Sequence, residues 1–260
     1  MAASPPPSRP PRPPHPSPPS LSPRSPLSSS PSLSSPPSPS SPPSPSSPPS
    51  PSSPPSPSSL PPIRGAVAHH SGYGHTARQA AALAEGAESV PGVLADLLDV
   101  TVLDDALWAA LDAAETITFG SPTHMGSTSA AFQRFAEAGT PVWAARGRQD
   151  ELAAGFTNSA GVNGNKANAL LSLTVFAAQH GMTWVPLGLA PGWIYASDGS
   201  PEELNRLGGF VGATARSPSD LGPEQAPADS DLRTAHHRGA RVARAALRQA
   251  LGRAAMEVAA

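Results

Sequence analysis

Residues 66–87 read AVAHHSGYGHTARQAAALAEGA, and this stretch decides how the rest of the chain is interpreted. A short apolar run ends in His69 and His70, and a turn with two glycines, two hydroxyls and a histidine follows. The alanine-rich segment after the turn is suited to a helix. The pattern therefore predicts a strand, a loop and a helix, with the unpaired N–H groups of the helix facing a ligand.

Three kinds of phosphate site compete for this loop. A triphosphate loop needs Gly-Lys-Ser/Thr, and the loop contains no lysine. A dinucleotide loop follows G-x-G-x-x-G/A, which residues 72–77 satisfy, and needs a carboxylate about 20 residues later, which Asp96 or Asp99 supplies. A phosphomonoester needs backbone N–H groups with hydroxyl donors beside them. The hydroxyls of Ser71 and Thr76 favour this third kind of site.

Strand-like and helix-like segments alternate through the rest of the domain. Strands are predicted over 66–70, 92–98, 115–119, 152–157 and 183–187, and helices over 74–87, 104–114, 129–138, 166–180 and 231–251. This alternation predicts an α/β fold with a five-stranded, doubly wound parallel sheet. Glycine, proline and hydroxyl residues follow the first, third and fourth strands, at 71–76, 121–126 and 158–164. Ligands of such sheets bind beyond the carboxyl ends of the strands, so we expect these three loops to share one site.

The first 62 residues differ in composition from the remainder. They hold 27 of the 36 prolines, and the hexamer Ser-Pro-Pro-Ser-Pro-Ser repeats four times over residues 35–58. Such a segment has almost nothing apolar to bury, so we predict a disordered tail over 1–62 and one folded domain over 63–260. The tail is interpreted either as a passive extension or as a ligand for proline-binding modules.

Composition also limits the function of the domain. Without the three arginines of the tail, 14 basic residues face 19 acidic ones, and a net charge of about −5 argues against nucleic-acid binding. The chain has no cysteine, which excludes thiolate metal sites and cysteine nucleophiles. The paired histidines at 69–70 and 236–237 lack a completing carboxylate, so no metal site is predicted. No apolar run is long enough to span a membrane, and we expect a cytoplasmic protein.

Four motifs in this order resemble one family: SGYGHT, FGSPTHMGS, AAGFTNSAGVNG and AAQHGMTWVPLG. They resemble the WrbA-like, flavodoxin-fold NAD(P)H:quinone oxidoreductases and NADPH-dependent FMN reductases, over about residues 63 to 251. The resemblance implies a flavodoxin-like fold, noncovalent FMN, NAD(P)H as a co-substrate and a homo-oligomer, either a dimer or a tetramer. It also implies two-electron reduction of a quinone by hydride transfer through the flavin.

The resemblance assigns roles to residues at matching positions. The flavin contacts that it implies are Ser71, Gly72, Tyr73, Gly74, His75, Thr76, Thr123, His124, Met125, Asn158, Ser159, Ala160, Gly161, Val162, Asn163 and Gln179. Tyr73 is expected to contact NAD(P)H as well, and Trp143 to form a wall of the quinone pocket. His124 and Met125 stand where the family often has Arg and Phe, and Gln179 stands where it can carry a flavin-contacting histidine.

The sequence leaves the chemistry of turnover open. Hydride transfer needs no catalytic side chain, and His75, His124 and His180 are the candidates to protonate a quinone oxygen. One alternative is a flavodoxin-like FMN electron carrier, or a redox-sensing interaction protein, without substrate turnover. A second alternative is an NAD-binding dehydrogenase that uses the first loop as a dinucleotide site.

Overall fold

The computed structural model describes residues 60–193 and 197–259, with side chains up to residue 257. The strands are β1 Ile63–His69, β2 Val93–Asp99, β3 Thr116–His124, β4 Ser127–Thr128, β5 Leu152–Ser159, β6 Thr183–Trp184 and β7 Ala213–Arg216. The helices are α1 His75–Glu88, α2 Asp105–Asp112, α3 Ala130–Ala138, α4 Thr140–Ala144, α5 Lys166–Gln179 and α6 Asp229–Ala259. The predicted tail over 1–62 lies almost entirely outside the described residues.

The main sheet is parallel and follows the order β2-β1-β3-β5-β6, which confirms the predicted doubly wound fold. The order reverses direction at β1, because β2 lies on one side of it and β3 on the other. One face of the sheet packs on α2, α3 and α5 through the aromatic residues Phe119, Phe132 and Phe135. The other face packs on α1 and α6.

The fifth strand position is divided between two short strands, and the prediction of one strand over 183–187 is wrong there. β6 pairs with Leu152 and Ala153 at the start of β5, and β7 pairs with the end of β5 over 156–159. Pro186 cannot donate a hydrogen bond to a neighbouring strand, and the chain leaves the sheet before it. Trp184 Nε1 donates to the carbonyl of Val211 at 3.0 Å, which connects the end of β6 with the residues just before β7.

The third strand is longer than predicted and turns into a hairpin. β3 continues to His124 because Ser121 and Pro122 still pair with β5. Met125 and Gly126 follow with φ of 47° and 83°, and β4 then pairs antiparallel with the end of β3. Positive φ at both residues is what a two-residue hairpin turn requires. The turn places Met125 fully exposed at its tip.

The position of α1 depends on a close contact with α6. A Cβ on Gly86 would lie 1.9 Å from the carbonyl oxygen of His236, and one on Gly239 would lie 1.9 Å from that of Leu83. Only glycine permits this approach of two helix backbones. The contact fixes α1 against the long C-terminal helix. Within the described residues, no helix is both long and apolar enough to cross a bilayer.

Candidate flavin site at the carboxyl edge of the sheet

The loop after β1 ends at the N-terminus of α1. Gly74 is the N-cap with φ of 85°, a left-handed conformation that favours glycine, and within the described part of the chain this helix end has no side-chain capping hydrogen bond. The first turn contains no acidic residue. The free N–H groups and the positive end of the helix dipole are therefore available to an anion.

Two hydroxyl residues flank this helix end, as the sequence predicts. Thr76 is buried in the first turn of α1. The Oγ atom of Ser71 is also buried, and it has no hydrogen-bond partner among the described residues. An unpaired buried hydroxyl costs about 1–3 kcal/mol. A ligand that accepts a hydrogen bond from Ser71 would remove this cost.

A cavity of about 630 Å³ opens beside this helix end, and we call it the carboxyl-edge cavity. Its lining residues are Gly72, Tyr73, His75, Thr76, Pro122, Thr123, His124, Asn158, Ser159, Ala160, Ser217, Ser219, Leu221, Gly222 and Pro223. The loops after β1, β3 and β5 thus meet at one edge of the sheet, as predicted. Among these described lining residues, none is Asp, Glu, Lys or Arg, so histidine is the only side chain there that can carry a positive charge.

Two hydrogen bonds determine which threonine hydroxyl donates and which one accepts at the loop after β3. Thr157 donates its hydroxyl proton to the carbonyl of Ser121 at 2.7 Å. In the 2.7 Å bond between Thr123 and Thr157, Thr123 must therefore be the donor. The Thr123 oxygen keeps lone pairs for a ligand and can only accept, which suits an N–H group of a ring system.

Lys166 holds the loop after β5 in place. This buried lysine is the only one in the chain, and its Nζ donates to the carbonyl of Val162 at 3.1 Å and to that of Gly161. Burial lowers the pKa of Lys166 to about 8, and the nearby carboxylate of Asp231 opposes this shift. Sequence reasoning misses the role of Lys166, because its partners are backbone carbonyls that no motif specifies.

The segment after β7 forms part of the cavity that the sequence did not predict. Ser217, Ser219, Leu221, Gly222 and Pro223 all come from it. Because β7 is only four residues long and two of them are alanine, its strand signal is weak, and the segment after it could not be assigned to this edge. The turn residues Pro218, Gly222 and Pro223 were the one available sign of a loop there.

Gln179, His180 and Trp143 lie elsewhere. They line a second space, which we call the α3–α5 groove, with a volume of about 660 Å³. Its other lining residues come from β4, α3, α4 and α5: Thr128, Phe132, Gln133, Ala136, Glu137, Thr140, Asn168, Leu171, Ser172, Val175 and Phe176. A single subunit therefore does not bring these three residues to the carboxyl-edge cavity.

The comparisons with known proteins show the family of the chain. No family model matches the chain. Flavodoxin FldP of Pseudomonas aeruginosa (strain UCBPP-PA14) is 44% identical over 181 residues, which cover 70% of this chain and 95% of that protein. The chain belongs to the flavodoxin family.

A WrbA-like protein and a quinone dehydrogenase are also similar to the chain. The crystal structure of the flavodoxin, WrbA-like protein from Agrobacterium tumefaciens is 40% identical, covers 72% of this chain and 98% of its own, and has a TM-score of 0.56. An NAD(P)H dehydrogenase (quinone) of Geotalea uraniireducens (strain Rf4) is 29% identical over 71% of this chain and 98% of its own. The predicted resemblance is thereby confirmed.

Membership of the flavodoxin family implies FMN, and the residues present fit this group. The uncapped end of α1 and the unpaired hydroxyl of Ser71 are suited to a phosphate. The oxygen of Thr123 can accept from the flavin ring, and the cavity lies within the volume range of small-ligand sites. When bound, FMN would supply the electron-transfer chemistry, while the protein supplies its binding and orientation.

The predicted flavin contacts fall into three groups by position in this flavodoxin. Nine line the carboxyl-edge cavity: Gly72, Tyr73, His75, Thr76, Thr123, His124, Asn158, Ser159 and Ala160. Six more are chain neighbours of those residues but are not among the lining: Ser71, Gly74, Met125, Gly161, Val162 and Asn163. Gln179 is the one predicted contact that lies in the α3–α5 groove. Their contacts with a flavin stay predictions.

The three histidine candidates have different surroundings. His75 Nε2 lies 2.9 Å from the carbonyl oxygen of Leu221, whereas His124 is exposed at the end of β3. His180 is buried against Phe176, and its Nδ1 has no partner among the described residues. Burial lowers the pKa of His180, and the positive charge of Arg148 adds to this effect. Only His75 and His124 are near enough to serve a ligand in the carboxyl-edge cavity.

Proposed function

We propose that this flavodoxin binds FMN in the carboxyl-edge cavity and acts as an electron carrier. The observation that carries the proposal is the uncapped N-terminus of α1 at the floor of that cavity, beside the unpaired hydroxyl of Ser71. The 44% identity to flavodoxin FldP supports the same function. The carrier was the alternative in the sequence interpretation, and it agrees better with the comparisons than quinone turnover does.

The open rim of the cavity supports transfer to a protein partner. Tyr73 is 78% exposed, and Met125 stands fully exposed on its hairpin turn beside His124. Trp143, which the resemblance assigns to a quinone pocket, lies in the α3–α5 groove instead. Among the described residues of one subunit, Trp143 therefore does not form a wall of the carboxyl-edge cavity. A partner protein can approach the cavity from this open side.

A second function, NAD(P)H:quinone oxidoreduction, is favoured by two observations. The relative from Geotalea uraniireducens at 29% identity is named NAD(P)H dehydrogenase (quinone), and the predicted quinone wall Trp143 is present and half-exposed. For Trp143 and Gln179 to reach a flavin, the groove of one copy would have to face the cavity of another. We propose this function only together with such a homo-oligomer.

One experiment separates the two functions. The purified full chain is loaded with FMN, and oxidation of NADH and NADPH with benzoquinone is compared with free FMN at equal concentration. In parallel, the chemically reduced protein is mixed with ferric cytochrome c, and electron transfer is followed by absorbance. The carrier predicts rapid transfer to cytochrome c and no quinone turnover above free FMN. Turnover well above free FMN, from a protein that light scattering shows to be oligomeric, establishes the reductase instead.

A further inference from the structure

The segment of residues 217–223, which we call the strap, crosses from one side of the carboxyl-edge cavity to the other. Its beginning is attached to the end of β5. The N–H of Ser217 donates to the carbonyl of Ser159 at 3.1 Å, and the Ser217 hydroxyl donates to Oδ1 of Asn158 at 3.1 Å. Both of these partners belong to the cavity lining on the β5 side.

The end of the strap is attached to α1. The His75 Nε2–H donates to the carbonyl of Leu221 at 2.9 Å, and Arg78 Nη1 donates to the carbonyl of Pro223 at 2.7 Å. The ring of Pro223 lies against the N-cap, where a Cβ on Gly74 would be 2.9 Å from its Cγ. Two side chains of α1 therefore hold a segment that neither a helix nor a strand stabilises.

We propose that the strap retains the bound mononucleotide, and that His75 and Arg78 are positioning residues that keep it closed. This inference rests on the proposed binding of FMN in the cavity. Leu221 and Pro223 line the same cavity whose floor is the α1 N-terminus, so a ligand cannot leave on that side while the strap is attached. The two bonds should then limit how fast the ligand passes the strap, both on leaving and on entering the cavity.

The bond to Leu221 also fixes what His75 can do. A carbonyl oxygen only accepts, so Nε2 of His75 must carry a hydrogen whether the ring is neutral or protonated. Nε2 is thus committed to the strap and does not exchange a proton with a ligand. Only Nδ1 of His75 is then left to serve a ligand, and the role predicted for this residue as a proton donor to a quinone stays a prediction.

The test compares variants that remove a donor with variants that keep one. His75→Leu and Arg78→Met remove the donors, His75→Gln and Arg78→Lys keep an N–H group, and Arg244→Met is the matched control. Arg244 is exposed on α6 and does not line the cavity. The dissociation rate of FMN from each full-length protein is measured by stopped-flow fluorescence, and the melting temperature is measured without FMN.

Each donor-removing variant should release FMN about fivefold faster, the effect of one lost hydrogen bond, and its association rate should rise as well, because an open strap admits the ligand as readily as it releases it. His75→Gln, Arg78→Lys and Arg244→Met should stay within about twofold of the parent protein. Unchanged release from both donor-removing variants overturns the strap proposal while FMN binding stands. Equal effects of His75→Leu and His75→Gln, with a lowered melting temperature, show a structural role and also overturn it. A parent protein that binds no FMN refutes the proposed function instead.

Discussion

The carboxyl-edge cavity and the α3–α5 groove are similar in volume, yet they differ in what they can hold. The cavity is lined by loops, with free backbone donors, hydroxyls and no formal charge except histidine among its described lining residues. The groove is lined by helices whose backbone groups are already paired, and its exposed apolar side chains include Trp143, Leu171 and Val175. A charged cofactor is stabilised by the first kind of surface, whereas an apolar ring or another protein suits the second.

A sequence motif gives the position of a residue in the chain and not the site that it joins. The resemblance assigns its four motifs to one flavin and quinone site. The three that follow strands do meet at one edge, because parallel strands end together. The fourth, which contains Gln179 and His180, lies at the end of a helix that faces another direction. The following predictions test whether the two regions function separately.

The largest effect is expected from Gly74→Ala. The substitution places a Cβ at φ of 85° and 2.9 Å from Pro223, at the point where the phosphate is expected. FMN affinity should fall about a hundredfold, equivalent to losing two charge-assisted hydrogen bonds. Gly92→Ala is the control, since Gly92 has φ of 83° with no atom within 4 Å of its Cβ position. Isothermal titration should show weakened FMN binding only for Gly74→Ala. Equal losses of FMN affinity in both variants would contradict the placement of the phosphate at this helix end.

A smaller effect, with opposite signs for stability and binding, is expected from Ser71→Ala. Its Oγ is buried and unpaired among the described residues, so removing it should leave the melting temperature of the FMN-free protein equal or higher. FMN affinity should nevertheless fall about tenfold, because a hydrogen bond to a charged phosphate is lost. A loss of stability without a loss of affinity would show that Ser71 serves the fold and not the ligand.

A modest pH effect is expected from His180 in the groove. Its pKa is lowered in the folded protein, so below about pH 6.5, the usual pKa of an unfolded histidine, the unfolded chain binds a proton that the folded one does not. The free energy of unfolding should therefore decrease as the pH falls from 7 to 5. His180→Gln should make this decrease shallower in urea titrations and leave FMN affinity unchanged. If the free energy of unfolding of the variant fell with pH as steeply as that of the parent protein, His180 would not be the cause of the decrease.

The smallest effect is expected from Trp143→Ala. Trp143 is half-exposed on α4 and does not line the carboxyl-edge cavity, so the FMN dissociation constant should change by less than about twofold. Fluorescence titration of the variant checks this. A tenfold loss of affinity, together with a smaller oligomer in light scattering, would show that a second copy brings its groove to the flavin, and the separation of the two regions would fail.

Much of the fold could be predicted because its signals are local. The turn after β1, the alternation of strand and helix patterns and the loops after β3 and β5 each lie within one segment. The N-cap of α2 is Asp104, whose side chain accepts from the N–H of Leu107 at 2.9 Å. Helix ends of this kind depend on residues three apart and are therefore visible in sequence.

The parts that could not be predicted depend on contacts between distant segments. β7 is too short and too rich in alanine to be recognised, yet pairing with β5 stabilises it as a strand. The strap then reaches α1 through Arg78 and His75, which lie about 145 residues earlier in the chain. Lys166 acts on backbone carbonyls, which no side-chain pattern reveals. The roles of these residues are therefore visible only in the tertiary structure.

The central claim is that the N-terminus of α1 binds the phosphate of FMN, and a titration with FMN and riboflavin tests it most directly. Riboflavin has the same ring and ribityl chain but lacks the phosphate. The purified, FMN-free full chain should bind one FMN and bind riboflavin about a thousandfold more weakly, since the phosphate receives several charge-assisted hydrogen bonds. Equal affinities for the two ligands, or no binding of FMN, would contradict this assignment.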